Sequence, residues 1–108
     1  MVDITLLAAI LDSLNEPIIF ADTGHMTLYM NKAAIAYYDG GADLIGRSML
    51  ACHNPASQQM IIDILAAFQA GENQRMYGEN DQKRKYVRAV RDHEGHLLGY
   101  YEWFEKKG

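Results

Sequence analysis

The feature that most constrains this chain is a pair of strand hairpins, one near each end, with helical sequence between them. The first hairpin lies within residues 17–30 and the second within residues 83–104. Gly24 and Gly95 suit their turns, because glycine adopts a positive φ without a steric clash of Cβ. If both hairpins join one antiparallel sheet, the middle of the chain must cover one face of that sheet and leave a half-enclosed pocket between the two layers.

Composition predicts a single globular domain and excludes several classes of protein. The chain has 108 residues, of which 49% are apolar and 22% charged. The net charge is -4 and the basic residues form no concentrated patch, which argues against nucleic-acid binding. Cys52 is the single cysteine, so neither an internal disulfide nor a thiolate zinc cluster is expected, and a reducing cytoplasmic location fits. No signal peptide or membrane span is predicted.

The first segment of the chain is predicted to be a helix that flanks the main domain. Its apolar residues at helical spacing are Ile4, Leu7, Ile10, Leu11 and Leu14. Further apolar residues widen this stripe, so the helix has more than one side to bury. Two alternatives remain open: the helix covers its own sheet, or Leu7, Ile10 and Leu11 contact a second copy in a homodimer. We assign residues 1–14 to this helix and residues 15–108 to a single domain.

The middle of the chain is predicted to be helical and to lead into three strands. Asn31 can cap a short helix that stops at a glycine pair, and two short turns follow. Asn54 and Pro55 mark the start of a longer helix, because asparagine favours the cap and proline the first helical position. The apolar stripe that must face the sheet consists of Met60, Ile61, Ile64, Leu65 and Phe68. The predicted strands after Gly71 are residues 74–79, 83–92 and 97–104.

The order and spacing of these blocks resemble the PAS domain family. The matching blocks are LNEPIIFADTGHMTLYMN (14–31), the turn Leu44-Ile45-Gly46-Arg47, the amphipathic helix from Pro55, and VRAVRDHEGHLLGYYEW (87–103). The segment Ala51-Cys52-His53-Asn54-Pro55 is similar to one found before the long helix in a PAS subgroup. The resemblance covers nearly the whole chain and depends on the order of the blocks rather than on any single motif.

The resemblance implies an α+β PAS fold, with a five-stranded antiparallel sheet and helices on one face that enclose a small cavity for a ligand or cofactor. It also implies a sensory or regulatory role, since PAS domains commonly precede histidine kinases of two-component systems, cyclases or transcription activators. The expected partners are therefore a small molecule, a second copy of the chain and a downstream effector domain. The Asp-Ile-Thr segment with which many PAS domains lead into an effector has no counterpart after Trp103.

The residues expected to contact a ligand in that cavity are Tyr29, Tyr38, Cys52, His53, Ile64, Phe68 and Glu102. His53 is the candidate haem ligand, because haem-binding PAS domains use an imidazole on or near the long helix. Otherwise His53 is a partly exposed residue of a polar turn. Cys52 lies near the start of the same helix, where the dipole lowers a thiol pKa and favours redox chemistry, or else it is a small core residue. Flavin photochemistry is not expected, because the cysteine motif of light-sensing PAS domains is absent.

Glu102 stands among aromatic residues of the last predicted strand. Its carboxylate must therefore be hydrated, paired with Arg88 or Arg91, or directed at a ligand. The remaining histidines, which are expected to be solvated turn residues, are His25, His93 and His96.

The main alternative to a sensor is an interaction module without a ligand. In that case Met30, Met49 and Phe68 would fill the cavity, and the sheet or the first helix would bind a protein partner. An enzyme is not expected, because the chain contains no phosphate-binding loop, nucleophile elbow or zinc-protease motif. An enzyme would also require a polar cluster around His53 and Glu102 in a cleft open to solvent.

Overall fold

A computed structural model describes residues 3–107, apart from the side chain of Cys52. The helices are α1 (Ile4–Asp12), α2 (Lys32–Tyr37) and α3 (Pro55–Gln69). Between α2 and α3 the chain forms two short 3-10 turns, Gly41–Leu44 and Met49–Cys52. The strands are β1 (Ile19–Asp22), β2 (Thr27–Met30), β3 (Gln74–Glu79), β4 (Lys83–Arg91) and β5 (Leu97–Lys106). Among the described residues, no helix combines the length and hydrophobicity that a bilayer crossing requires.

The two hairpins share one antiparallel sheet, as the sequence predicted. The strand order is β2-β1-β5-β4-β3, so the first and last strands of the chain are neighbours at the centre of the sheet. Ile19 of β1 faces Glu102 of β5, and Glu102 in turn faces Val87 of β4. Residues paired in register project from the same face, so these three side chains point toward the helices. The α+β fold with helices on one face of the sheet is confirmed.

The turn between β1 and β2 differs from the prediction in the residue that adopts a positive φ. His25, not Gly24, has a left-handed backbone, with φ of 65°. The carboxylate of Asp22 accepts hydrogen bonds from the backbone N–H groups of Gly24 and Met26. These bonds stabilise a turn whose left-handed residue lies one position later than expected. In the other hairpin the prediction is confirmed, because Gly95 has φ of 87°.

Helix α3 packs its apolar stripe on the sheet and closes the core. Asn54 caps the helix by accepting a hydrogen bond from the backbone N–H of Ser57, and Pro55 occupies the first turn, as predicted. Four of the five predicted stripe residues are buried, namely Ile61, Ile64, Leu65 and Phe68. Met60 is the exception and is exposed, because it lies at the edge of the stripe rather than over the sheet.

Helix α1 is attached to the domain by its C-terminal end and leaves its apolar side chains largely uncovered. The side-chain amide of Asn31 donates to the carbonyl oxygen of Leu11, and the carboxylate of Asp12 accepts from the backbone N–H of Lys32. No residue of α1 is buried. The helix therefore keeps an apolar surface that its own sheet does not cover.

His25 is not a solvated turn residue, contrary to the sequence-based expectation. Its ring Nδ1 lies 2.7 Å from the hydroxyl of Tyr100, a residue buried in the core. Its backbone carbonyl accepts a hydrogen bond of 2.6 Å from Met49, which joins the turn to the second 3-10 turn. Burial lowers the pKa of His25 below its usual value, and the nearby Asp22 only partly opposes this shift.

The lowered pKa of His25 predicts that the protein loses stability as the pH falls through the usual histidine pKa of 6.5. In that range the unfolded chain binds a proton that the folded protein binds less readily, so the free energy of unfolding decreases with decreasing pH. Urea unfolding between about pH 7.5 and about pH 5.5 measures this slope. His25→Asn should flatten it, since asparagine tolerates a positive φ and does not titrate. An unchanged slope in His25→Asn, or a flattened slope in the exposed control His93→Asn, would contradict the prediction.

Candidate functional site

A partly open cavity of about 190 Å³ lies between the sheet and the segment that runs from the end of α2 to the start of α3. Its lining residues are Ile19, Tyr37, Tyr38, Leu44, Met49, His53, Tyr77, Lys85, Glu102, Trp103 and Phe104. Helix α3 contributes none of them. The sequence led us to expect the cavity between the long helix and the sheet, where the buried side chains of α3 belong to the hydrophobic core.

Two strands bring a carboxylate and a phenol together at the cavity wall. Glu102 lies on the central strand β5, with Ile19 and Val87 on either side of it. Tyr77 lies where the register of β3 against β4 shifts between Met76 and Gly78. Arg75, two residues before Tyr77, is paired with Val87, so Tyr77 projects from the same face as Val87 and Glu102. Its hydroxyl reaches the Glu102 carboxylate there.

Glu102 is almost completely buried, at 4% exposure, and accepts a hydrogen bond from the hydroxyl of Tyr77. Burial, followed by the charge and the hydrogen bond of Glu102, raises the pKa of Tyr77 far above its usual value. Tyr77 therefore remains a hydrogen-bond donor at every physiological pH. Neither arginine that the sequence suggested as a partner reaches Glu102: Arg88 binds Gln74 and Tyr101, and Arg91 binds backbone carbonyls at the end of α3.

Lys85 and His53 add two further polar groups to the lining. Lys85 is paired with Phe104 across β4 and β5, two residues along the strand from the pair of Val87 and Glu102. His53 follows the second 3-10 turn, and its backbone carbonyl accepts a hydrogen bond of 2.9 Å from the side chain of Gln58. Within the described part of the chain, neither the ammonium of Lys85 nor the imidazole of His53 has a hydrogen bond or an ion pair, so both are available to a ligand.

An aromatic wall separates the cavity from an open groove on the other side. Tyr37 and Phe104 line both spaces, and their ring centroids are 5.2 Å apart. The ammonium of Lys83 lies over both rings, 4.8 Å from the centroid of Tyr37 and 4.4 Å from that of Phe104, and donates to the Tyr37 hydroxyl. This contact holds α2 against the end of the sheet and closes the cavity on that side.

The structure brings three of the seven expected ligand residues together at the cavity: Tyr38, His53 and Glu102. Ile64 and Phe68 are buried but belong to the core beneath α3. Tyr29 is paired in register with Phe20 and so projects from the opposite face of the sheet. The side chain of Cys52 lies outside the described residues, so the predictions for this thiol stay predictions.

Sequence reasoning missed Tyr77 and Lys85. A signal for Lys85 was present, because residues two apart on a strand share a face and Lys85 is two residues before the buried Val87. Tyr77 carried no such local signal, since only the pairing of Arg75 with Val87 shows that Arg75 and Tyr77 lie on the helix face of β3.

The geometry does not fit the haem that the family resemblance suggested. His53 lines the cavity, as a haem ligand must. However, the volume of about 190 Å³ is below the roughly 300–1,000 Å³ of pockets for drug-sized ligands, and a porphyrin is at least that large. His53 is therefore a side chain of the cavity wall with no role in haem binding.

The other histidines lie away from the cavity. His93 and His96 are exposed in the turn between β4 and β5, as expected, and His96 faces the carboxylates of Asp92 and Glu94. Among residues 3–107, without the thiol of Cys52, no three histidine, cysteine or acidic side chains are arranged to hold a metal ion.

Comparison with known proteins gives a family and a fold. A family model described as a PAS domain matches residues 7–106. A C-terminal domain from Streptococcus mutans superposes with a TM-score of 0.80 at 18% identity, covering 97% of this chain and 85% of that one. The PAS domain of BvgS from Bordetella pertussis gives a TM-score of 0.69 at 18% identity, with coverage of 96% and 85%. A sensory box sensor histidine kinase from Vibrio cholerae gives 0.65 at 15% identity, with coverage of 95% and 90%. No curated protein matches the sequence.

Proposed function

This chain belongs to the PAS domain family, and we propose that it is a sensory or regulatory module that binds a small molecule in its interior cavity. The observation that carries the proposal is the buried carboxylate of Glu102, which lines a partly enclosed space of about 190 Å³ instead of pairing with a cation of the sheet. A buried charge without a cationic partner is costly in a protein whose only task is to fold. A ligand that contacts the Glu102 carboxylate would offset the cost of burying its charge.

Ligand binding would act on the segment between α2 and α3. This segment forms one wall of the cavity through Tyr38, Leu44 and Met49, and the backbone N–H of Met49 is bonded to the turn of the first hairpin. A ligand that contacts this wall favours one packing of the segment over another, and this difference in affinity shifts the population of the two packings. The similar sensor histidine kinase supports an output through an effector domain. We propose a cytoplasmic location for this module.

Native mass spectrometry of the untreated protein tests the proposed cavity. We expect a bound small molecule, seen as added mass that denaturation removes. Leu44→Trp should abolish the added mass, because Leu44 lines the cavity and an indole would fill much of its volume. Ile45→Trp is the matched control, since the neighbouring Ile45 is exposed and lies outside the lining. Protein without added mass, or added mass that survives in Leu44→Trp, would count against a ligand in this cavity.

We also infer that the chain forms a homodimer through α1. Leu7 and Ile10 are about half exposed, at 51% and 52%, and Leu11 is the partly covered neighbour on the same helix. In a monomer, the apolar stripe of α1 would remain exposed to water, which is unfavourable. A second copy that packs against Leu7, Ile10 and Leu11 would cover the stripe.

Charged residues in the α1 stripe are expected to convert the dimer to a monomer. The double substitution of Leu7→Glu and Ile10→Glu places two carboxylates in the proposed interface, where burial of unpaired charges is unfavourable. Light scattering after size exclusion should give the dimer mass for the unaltered protein and the monomer mass for the variant. Thr5→Glu, at an exposed polar position of the same helix, should leave the dimer intact. A monomeric parent protein, or a variant that still dimerises, would contradict this assignment.

A second candidate function is an interaction module without a ligand. The observation that favours it is the burial of Met30, Met49 and Phe68, the side chains expected to fill the interior. A chain that carries no small molecule in native mass spectrometry and still dimerises through α1 would support this function over the sensor.

A further inference from the structure

We infer that the ligand of the cavity is a compact organic cation, a protonated amine with a small apolar body, whose ammonium group binds the carboxylate of Glu102. This inference rests on the proposed function and names the chemical class that the cavity selects. It combines three observations: an uncompensated buried carboxylate, aromatic walls that already hold an ammonium, and a volume suited to a few non-hydrogen atoms.

The first observation concerns the charge balance around Glu102. Within the described residues, its carboxylate accepts one hydrogen bond, which the Tyr77 hydroxyl donates to Oε1, and forms no ion pair. A carboxylate normally accepts several hydrogen bonds, and a buried one is stabilised by a cation or by additional donors. An ammonium group in the cavity would supply both a positive charge and up to three donors. The second carboxylate oxygen is available for it.

The second observation concerns the aromatic wall. The ammonium of Lys83 lies over the rings of Tyr37 and Phe104, at cation-π distances of 4.8 and 4.4 Å. These rings belong to the cavity lining as well, and Tyr38 lies against Tyr37 with a centroid distance of 5.0 Å. Aromatic faces attract cations through their quadrupole. The aromatic wall of the cavity therefore favours a positively charged ligand over a neutral or anionic one.

The third observation concerns size and the number of charges. A volume of about 190 Å³ corresponds to about six water molecules at roughly 30 Å³ each, so the ligand has few non-hydrogen atoms. Lys85 lines the cavity beside Phe104, two residues along the strand from the pair of Val87 and Glu102. Its ammonium disfavours a second positive charge at that end. A monoamine fits this arrangement better than a diamine.

Two probes of equal size test the inference. The ammonium ion of 3-methylbutylamine carries the proposed charge, and 3-methylbutan-1-ol is its neutral counterpart with the same apolar body. Ligand-observed NMR titration at millimolar concentration should show binding of the amine at least about tenfold tighter than that of the alcohol, a difference of about 1.4 kcal/mol. Glu102→Gln should remove this preference, because the amide keeps the size of the side chain and loses its charge. Glu94→Gln, an exposed position in a distant turn, should preserve it.

A second variant keeps the test informative if Glu102→Gln does not fold. Tyr77→Phe removes only the hydroxyl that Glu102 binds, so the carboxylate remains and the preference for the amine should persist. Equal binding of both probes, a preference that survives Glu102→Gln, or no binding of either probe overturns the amine assignment. None of these results decides the proposed function, which native mass spectrometry of the bound molecule tests separately. A retained molecule without a basic nitrogen would refute the cation and leave the sensor in place.

Discussion

Replacing Gly99 with alanine is expected to destabilise the protein by about 4 kcal/mol or more, the range of exceptional single substitutions. Gly99 lies on β5 and is paired with Asp22 of β1. A Cβ at this position would lie 2.1 Å from the backbone oxygen of Ala21 and 2.8 Å from the ring of Phe20. The first of these atoms belongs to the backbone of the adjacent strand, so only a separation of β1 from β5 can relieve the clash. Urea unfolding followed by the fluorescence of Trp103, the single tryptophan, measures the loss.

Gly78→Ala is the matched control for this substitution, because Gly78 is also a strand glycine of the same sheet. A Cβ on Gly78 would meet only the flexible side chain of Lys85, at an ordinary contact distance of 3.7 Å. The free energy of unfolding of the Gly78→Ala variant should differ from that of the unaltered protein by less than about 1 kcal/mol. This is the scale of the glycine-to-alanine difference in chain entropy. Similar losses in both variants would show that the close approach of β1 to Gly99 is not the cause.

Asn31→Ala is expected to destabilise the protein by about 3 kcal/mol and to detach α1 from the domain. The buried side chain of Asn31 accepts hydrogen bonds from the backbone N–H groups of Ile18 and Ala34 and donates to the carbonyls of Leu11 and Glu16. Alanine removes a helix cap, worth about 1 kcal/mol, and leaves buried backbone groups unpaired, at about 1–3 kcal/mol for a buried group. Chemical denaturation measures the total, and hydrogen exchange of the α1 amides measures the detachment.

Asn31→Asp separates the two roles of this side chain. The carboxylate retains the acceptor for Ile18 and Ala34, so the cap of α2 should survive. It loses the two N–H donors and faces the carbonyl oxygens of Leu11 and Glu16, so α1 should exchange as fast as in Asn31→Ala. Slow exchange of α1 in both variants would mean that Asp12, through its bond to the backbone of Lys32, is sufficient to hold the helix.

The sequence alone was sufficient to predict the elements whose signals are local. Asn31 and Asn54 were recognised as helix caps because a short amide before a helical stripe satisfies a free N–H group within three residues. Successive side chains of a strand point to opposite faces of the sheet, and this alternation placed Glu102 on the same face as Tyr100. The joining of both hairpins in one sheet was a condition of the interpretation, and the resemblance to the PAS family supplied it.

The candidate site could be predicted only in part. His53 was identified from its place before the cap of the long helix, Glu102 as a carboxylate among aromatic residues, and Tyr38 as an aromatic residue that could line a cavity. Ile64 and Phe68 were not distinguishable from cavity residues, since an apolar stripe on a helix looks the same whether it lines a space or fills one.

The hairpins, the caps and the stripe of α3 are therefore determined by the sequence, because each depends on residues a few positions apart. The tertiary structure alone decided that the cavity lies beneath residues 37–53, that Tyr77 rather than an arginine binds Glu102, and that His25 reaches Tyr100. These contacts join residues 25 and 75 positions apart. They depend on how the pairing of distant strands and a left-handed turn combine in space, and no local sequence pattern determines that combination.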